Sequence, residues 1–276
     1  MCIRDRGTDP LRVLGERLAA YDTLAIDRIE AIDLTAYLRE TSDIDVPPGE
    51  RLRQLAIRTE LEASCASMPR GYLALERIYE AARRLGCEDV DTSLAISAER
   101  CSSLNNDDLS ARKGEQAARR AIAVRADDAL AHYILGLLLY ARDALEEART
   151  CFETAIALDA SMHWAKLYRA HCFHDEGRWV DAVSAYSSVN PAAFMGDTAW
   201  RYDLLREQRA FCRLMAGDRA QALTELDAIV ERYEREPWLM DPLTLADLRC
   251  AATGALQPEL GQRVERLLSR ADVEPA

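Results

Sequence analysis

Three of the four histidines of this 276-residue chain fall in one short stretch: His163, His171 and His174, with Cys172 and Asp175 beside them. His171 and His174 stand one helical turn apart, so their imidazoles share a face and could share a metal such as zinc. A catalytic zinc also needs a third protein ligand, an open position and partners that orient the imidazoles. Cys172 points to another side of the same helix, and no second ligand pair follows. A Cys–His nucleophile pair would need an orienting third residue, and none is identifiable. No Gly-rich phosphate loop, Gly-x-Ser-x-Gly elbow or His-Glu-x-x-His occurs, and with 12 glycines the chain has few to spare for one. The cluster reads as polar groove side chains, and no catalytic residue, metal site or cofactor is expected.

The elements that must position these residues are helical. Apolar side chains recur at spacings of three and four, as in Leu11, Leu14, Leu18, Tyr21, Ala25, Ile29 and Ile32. Apolar residues make up 49 % and aromatics only 7 %, which favours an all-α chain with a large core. Acids stand where helices begin. Asp9-Pro10 and Asp241-Pro242 each place an N-cap acid before a proline at the first helical position. Asp128 and Asp218 cap the helices from Ala129 and Arg219, and Asp143 with Glu146 has capping-box spacing. Residues 10–40 hold one long helix or two short ones. Thr41 to Glu50 is a break punctuated by Pro47-Pro48-Gly49. Helices over 51–67 and 71–85 form a hairpin that Gly86 ends. Further helices are expected over 92–104, 108–125, 242–253 and 258–270.

Within this pattern lies a repeat. A shift of 34 residues superimposes Gly136 on Ala170, Leu139 on Phe173, Ala148 on Ala182 and Phe152 on Tyr186. The same shift brings Ala121-Ile-Ala-Val onto Ala155-Ile-Ala-Leu. A third unit, Asp203 to Tyr233, has Ala210, Gly217, Ala222 and Leu226 in register after an irregular insert, Asn190 to Asp197. Gly136, Ala170, Ala148 and Ala182 let paired helices approach closely. Phe152, Phe173 and Tyr186 fill the space between successive hairpins.

These offsets resemble the tetratricopeptide repeat (TPR) family, closest over residues 129–189 and more loosely over 92–128 and 198–234. The resemblance implies an all-α fold, a right-handed superhelical stack of helix–turn–helix repeats of TPR-like α-solenoid type. N-terminal helical hairpins would occupy 7–90 and repeats 91–234, in units of about 92–128, 129–162, 163–190 and 198–234. Capping helices would occupy 235–276. The chain departs from the motif at His132 and Lys166, where an aromatic is usual, at Arg169 in place of Leu, and at Ala160 in place of the closing proline.

The resemblance also implies a function: a non-catalytic protein–protein interaction scaffold that binds a peptide or partner helix through a concave groove lined by first helices. The groove residues would be Tyr133, Leu137, Tyr140, Trp164, Tyr168, His171 and His174, an apolar and aromatic face. In members that bind chaperone tails, basic and Asn side chains clamp a C-terminal carboxylate. The matching positions hold Tyr133, Leu137, Leu167 and Tyr168, so that clamp is not expected. Either an external peptide or an internal helix would fill the groove. The alternative is the regulatory or sensor half of a larger protein, with an N-terminal enzymatic or DNA-binding domain preceding it.

Bulk properties narrow the partners. A net charge of −12 argues against non-specific nucleic-acid binding, which needs a basic face. The most apolar run, Ala129 to Ala141, is too short for a membrane span, which needs about 20 residues. Eight cysteines, none in a Cys-x-x-Cys pair, read as reduced core residues of a cytoplasmic protein. Met1 to Arg6 match the translated end of a transposase sequencing adapter and read as an assembly scar at 1–6. The natural N-terminus would then be missing, so the lack of a signal peptide does not fix the compartment.

Overall fold

The computed structural model describes residues 9–18, 32–63, 69–195 and 198–271, and every regular element among them is a helix. The chain divides into two compact units, 1–142 and 143–276. The segment Met1 to Arg6, and the choice between one helix and two over 10–40, fall wholly or partly outside the described residues.

The first unit contains α1 (Pro10–Leu18), α2 (Leu34–Glu40), α3 (Pro48–Ala63), α4 (Pro69–Arg84), α5 (Asp91–Asn105), α6 (Asp108–Val124) and α7 (Ala129–Tyr140). From α3 onward each helix packs on the next, and α1 and α2 both pack on α3. Aspartates make the helix starts. Asp33 accepts the amides of Thr35 and Ala36, Asp107 that of Leu109, and Asp128 that of Ala131, all at 2.9–3.1 Å. Gly86 ends α4 with φ +86°, as expected.

The break after α2 is shorter than the sequence suggested. Pro48 to Glu50 belong to α3 rather than to the loop, because proline's fixed φ suits the first helical position. Gly49 follows for a packing reason. A Cβ there would lie 2.9 Å from the Ala82 carbonyl oxygen and 3.0 Å from that of Leu85, so the start of α3 meets the end of α4 only as glycine. Gly136 is buried on α7. A second small residue, which the repeat offsets passed over, sets a close approach in this unit. A Cβ on Gly114 of α6 would stand 3.1 Å from Leu138 Cδ1 of α7 and 3.2 Å from Ala98 Cβ of α5.

Two buried acids in this unit are tightly paired. Asp91 takes Arg83 and Arg120 at 3.2 and 2.8 Å, and Glu76 takes Lys113 and the Ser110 hydroxyl at 2.7 Å. Each of these acids ties α4 to α6. Such ties matter chiefly because removing one partner strands a buried charge.

The second unit contains α8 (Leu145–Leu158), α9 (His163–Asp175), α10 (Trp179–Ser187), α11 (Ala199–Met215), α12 (Arg219–Arg235), α13 (Pro242–Ala251) and α14 (Pro258–Ala271). The helices α8 to α12 pack in chain order, α13 packs on α11, and α14 on α12 and α13. Asp218 and Asp241 cap α12 and α13. The capping box expected at Asp143 does not form. Its φ is +62°, whereas a capping side chain needs extended backbone, and the cap position falls to Ala144 with no side-chain bond. Asp143 instead uses the tolerance of aspartate for the left-handed region to turn the chain.

Phe152, Ala148, Tyr186 and Ala182 are all fully buried, as the repeat offsets require. The described part of the insert, residues 190–195, contains a regular turn. Asn190 accepts the Ala192 amide at 3.0 Å and starts a short 3-10 turn, Pro191–Ala193. That turn drives Phe194, 4 % exposed, into a core with Leu167, Tyr186, Leu205 and Cys212.

Candidate functional site

Four of the seven expected groove residues lie on α9: Trp164, Tyr168, His171 and His174. All four are half-buried. Their spacing of three and four puts them on one stripe. Each ring is engaged by a neighbour. Trp164 meets Phe194 edge-on at 5.1 Å, so the insert covers one end of the stripe. Tyr168 stacks on Phe152 of α8 at 5.8 Å and meets His171 edge-on at 5.5 Å.

The His171 Nδ1 lies 2.8 Å from the Tyr186 hydroxyl, which donates in turn to Gln208 Oε1 of α11 at 3.3 Å. With that hydroxyl proton directed at Gln208, the tautomer carrying its proton on His171 Nδ1 completes the chain. Burial pushes the His171 pKa down to about 4; Asp175 opposes this, and the charges of His174 and Arg201 add to it. His171 is therefore neutral at physiological pH. His174 Nδ1 lies 2.8 Å from Asp175 Oδ1, and its ring sits 5.7 Å from both Trp179 and Phe211.

The other three, Tyr133, Leu137 and Tyr140, lie on α7 in the first unit. Tyr133 and Tyr140 are half-buried, and Leu137 is buried. The imidazoles of His171 and His174 share a face, yet each directs Nδ1 to a protein partner. Among the described residues no group of three or more His, Cys, Asp or Glu is placed to hold a metal ion.

The α9 stripe continues onto α11 through residues the periodicity did not single out. Arg201 lays its guanidinium 5.7 Å from the Trp164 ring and 4.1 Å from that of Trp200. Trp200 is 42 % exposed. Phe211, half-buried, closes the other end against Trp179 at 5.8 Å. The Trp200-Arg201 pair directly after the insert was the available sequence signal, but it has no counterpart 34 residues earlier.

No protein-family model matches this sequence, and no curated protein matches it. Among solved structures, YrrB, described as a TPR protein with an unusual peptide-binding site, superposes with a TM-score of 0.50. The match covers 73 % of this chain and 92 % of that one at 16 % identity.

The fold is that of the tetratricopeptide repeats.

In TPR terms α9 and α11 are first helices of successive hairpins, closed by α10 and α12. The TPR hairpins turn at Gly177 and Gly217, with φ of +69° and +89°. The aromatic stripe and Arg201 thus lie on the first helices of these hairpins. No helix among the described residues is long and apolar enough to cross a membrane.

Proposed function

We propose that this chain is a non-catalytic protein-interaction scaffold, and that in its second unit a peptide or partner helix lies across α9 and α11. The contact side chains would be Trp164, Tyr168, His171 and His174, extended by Phe211. In the first unit Tyr133, Leu137 and Tyr140 would form the corresponding stripe of α7. The observation that supports this reading is the half-burial of the α9 aromatic stripe. These rings hold one another in fixed positions while each keeps part of its surface open. Rigid aromatic side chains that are already ordered lose little entropy on binding, which suits them as anchors. The peptide-binding site named for YrrB belongs to a protein of the same fold and agrees with this use of it. The partner is a protein or peptide, since a net charge of −12 opposes phosphate backbones.

The test is a pull-down from the native host with wild type and with Tyr133→Ala/Tyr168→Ala, after circular dichroism has shown both to be folded. Loss of the same partners from the variant supports the reading. Recovery of identical partners at identical yield would remove these helix faces as the functional surface.

A further inference from the structure

Among the described residues Arg201 is a half-buried cation without an anion. Elsewhere in its unit most half-buried arginines sit on carboxylates, such as Arg209 and Arg213 on Glu225 and Arg232 on Asp203; Arg169, also half-buried, has no ion pair among the described residues and no ring beneath it. Arg201 has no acidic partner among the described residues, and its buried Nε has no hydrogen-bond acceptor. The chain has 47 acidic residues against 35 basic ones, so the missing partner does not reflect a shortage of carboxylates. The Nη groups are not among the buried unpaired atoms and so reach solvent. A guanidinium lying against tryptophan rings is held in orientation while its edge stays open for a two-pronged bond in its own plane. His171, neutral at physiological pH, adds no second charge there.

We propose that Arg201 reads a carboxylate in the bound segment. An aspartate or glutamate side chain pairs with the guanidinium edge, while neighbouring apolar side chains rest on Trp164 and Trp200. This inference rests on the groove reading above and names the chemistry it selects. A side chain fits better than a chain terminus for a geometric reason. The two rings come from successive first helices, so a segment crossing from α9 to α11 has apolar surface both before and after the charge. The overall charge of −12 repels a run of acids, so the ligand carries one carboxylate among neutral or basic residues.

The probe is a random-peptide display library selected on the full chain. The consensus peptide is then synthesised with its acidic residue, and with the matching amide in its place. Binding to wild type, Arg201→Gln, Arg201→Lys and Trp164→Ala is measured by fluorescence anisotropy, with circular dichroism as a fold control. The selected peptides should share one acidic position. The amide peptide should bind wild type about tenfold more weakly. On Arg201→Gln the two peptides should bind alike, and Arg201→Lys should restore part of the difference. Amidating the peptide's C-terminus should change nothing.

Selected peptides that lack an acidic position but lose affinity on Trp164→Ala would overturn this inference and leave the groove reading standing. So would a peptide that needs its free terminus. If no peptide is selected, or none responds to Trp164→Ala, the groove reading falls with it. Should Arg201→Gln not fold, the amide comparison on wild type decides alone.

Discussion

Tyr233 of α12 donates its hydroxyl proton to the carboxyl group of Glu207 on α11, and both side chains are fully buried. The second carboxyl oxygen of Glu207 has no hydrogen-bond partner. Asp203 lies one turn away on α11, neutralised by Arg206 and Arg232, and Asp241 caps the neighbouring α13. A charged Glu207 would face one donor and two other acids. Burial therefore raises its pKa to about 8, with Asp241 and Asp203 adding to the shift and the Tyr233 bond and Arg206 opposing it.

A carboxyl that holds its proton to about 8 when folded, against 4.5 when free, gives a defined pH dependence. Between those values the folded state binds more protons than the unfolded one, so stability falls as pH rises through that window. The contribution is fully present below the lower value and lost above the upper one. Glu207→Gln keeps an acceptor for Tyr233 and cannot ionise. Its melting temperature should gain on wild type as pH is raised from about 5 to about 8, and the gap should then stay constant. A gap independent of pH would show that Glu207 titrates alike in both states.

Phe152 is fully buried and stacks on Tyr168. Phe152→Ala should cost about 3–5 kcal/mol in denaturant unfolding, through lost burial and the cavity left behind. Against a typical total of about 5–15 kcal/mol this is large. An unchanged unfolding midpoint would refute the packing described here.

Two helical glycines should respond to alanine in opposite directions. At Gly49 the new Cβ meets two carbonyl oxygens at 2.9 and 3.0 Å, and backbone must move. Gly49→Ala should destabilise by about 1–3 kcal/mol. At Gly261 of α14 the nearest atom is Leu256 Cβ at an ordinary 3.9 Å. Gly261→Ala should gain up to about 1 kcal/mol from helix propensity alone. Parallel thermal melts decide, and matching signs would contradict the packing at one of the two sites.

Thiol reactivity offers a separate check. Burial pushes the thiols of Cys101, Cys172 and Cys212 up to about 12, whereas Cys250 is exposed. Alkylation of the native protein followed by peptide mass mapping should label Cys250 before Cys101, Cys172 and Cys212, and those three buried thiols only on unfolding. Labelling of Cys172 as fast as Cys250 would mean that α9 opens locally.

The helices and their order were legible because punctuation and periodicity are local properties. Asp128, Asp218 and Asp241 cap where their types suggested, and the 34-residue offsets placed Phe152 and Tyr186 in the core. Asp143 misled because the capping-box pattern specifies residue types but not φ. The Glu207–Tyr233 pair was invisible because nothing in a linear pattern links two residues on different helices. At the candidate site the α9 stripe was readable, but the ring partners of Tyr168 and His171 were not. Those partners come from α8 and α10, and only the packing angle between helices decides which rings meet. Arg201 and Phe194 lie in or beside the insert, where the period that guided the reading is interrupted.

The Phe194 contact has a consequence for how this array can be rearranged. Tandem repeats grow and shrink by whole units because one joint resembles the next. The joint between α10 and α11 is different, since Phe194 locks onto Trp164 and into the same core as Leu205 and Cys212. A duplication or deletion cut within that joint would part the plug from its socket. Only a block running from Trp164 on α9 to Cys212 on α11 would carry the joint intact. The exchangeable block here is therefore longer than the 34-residue sequence period.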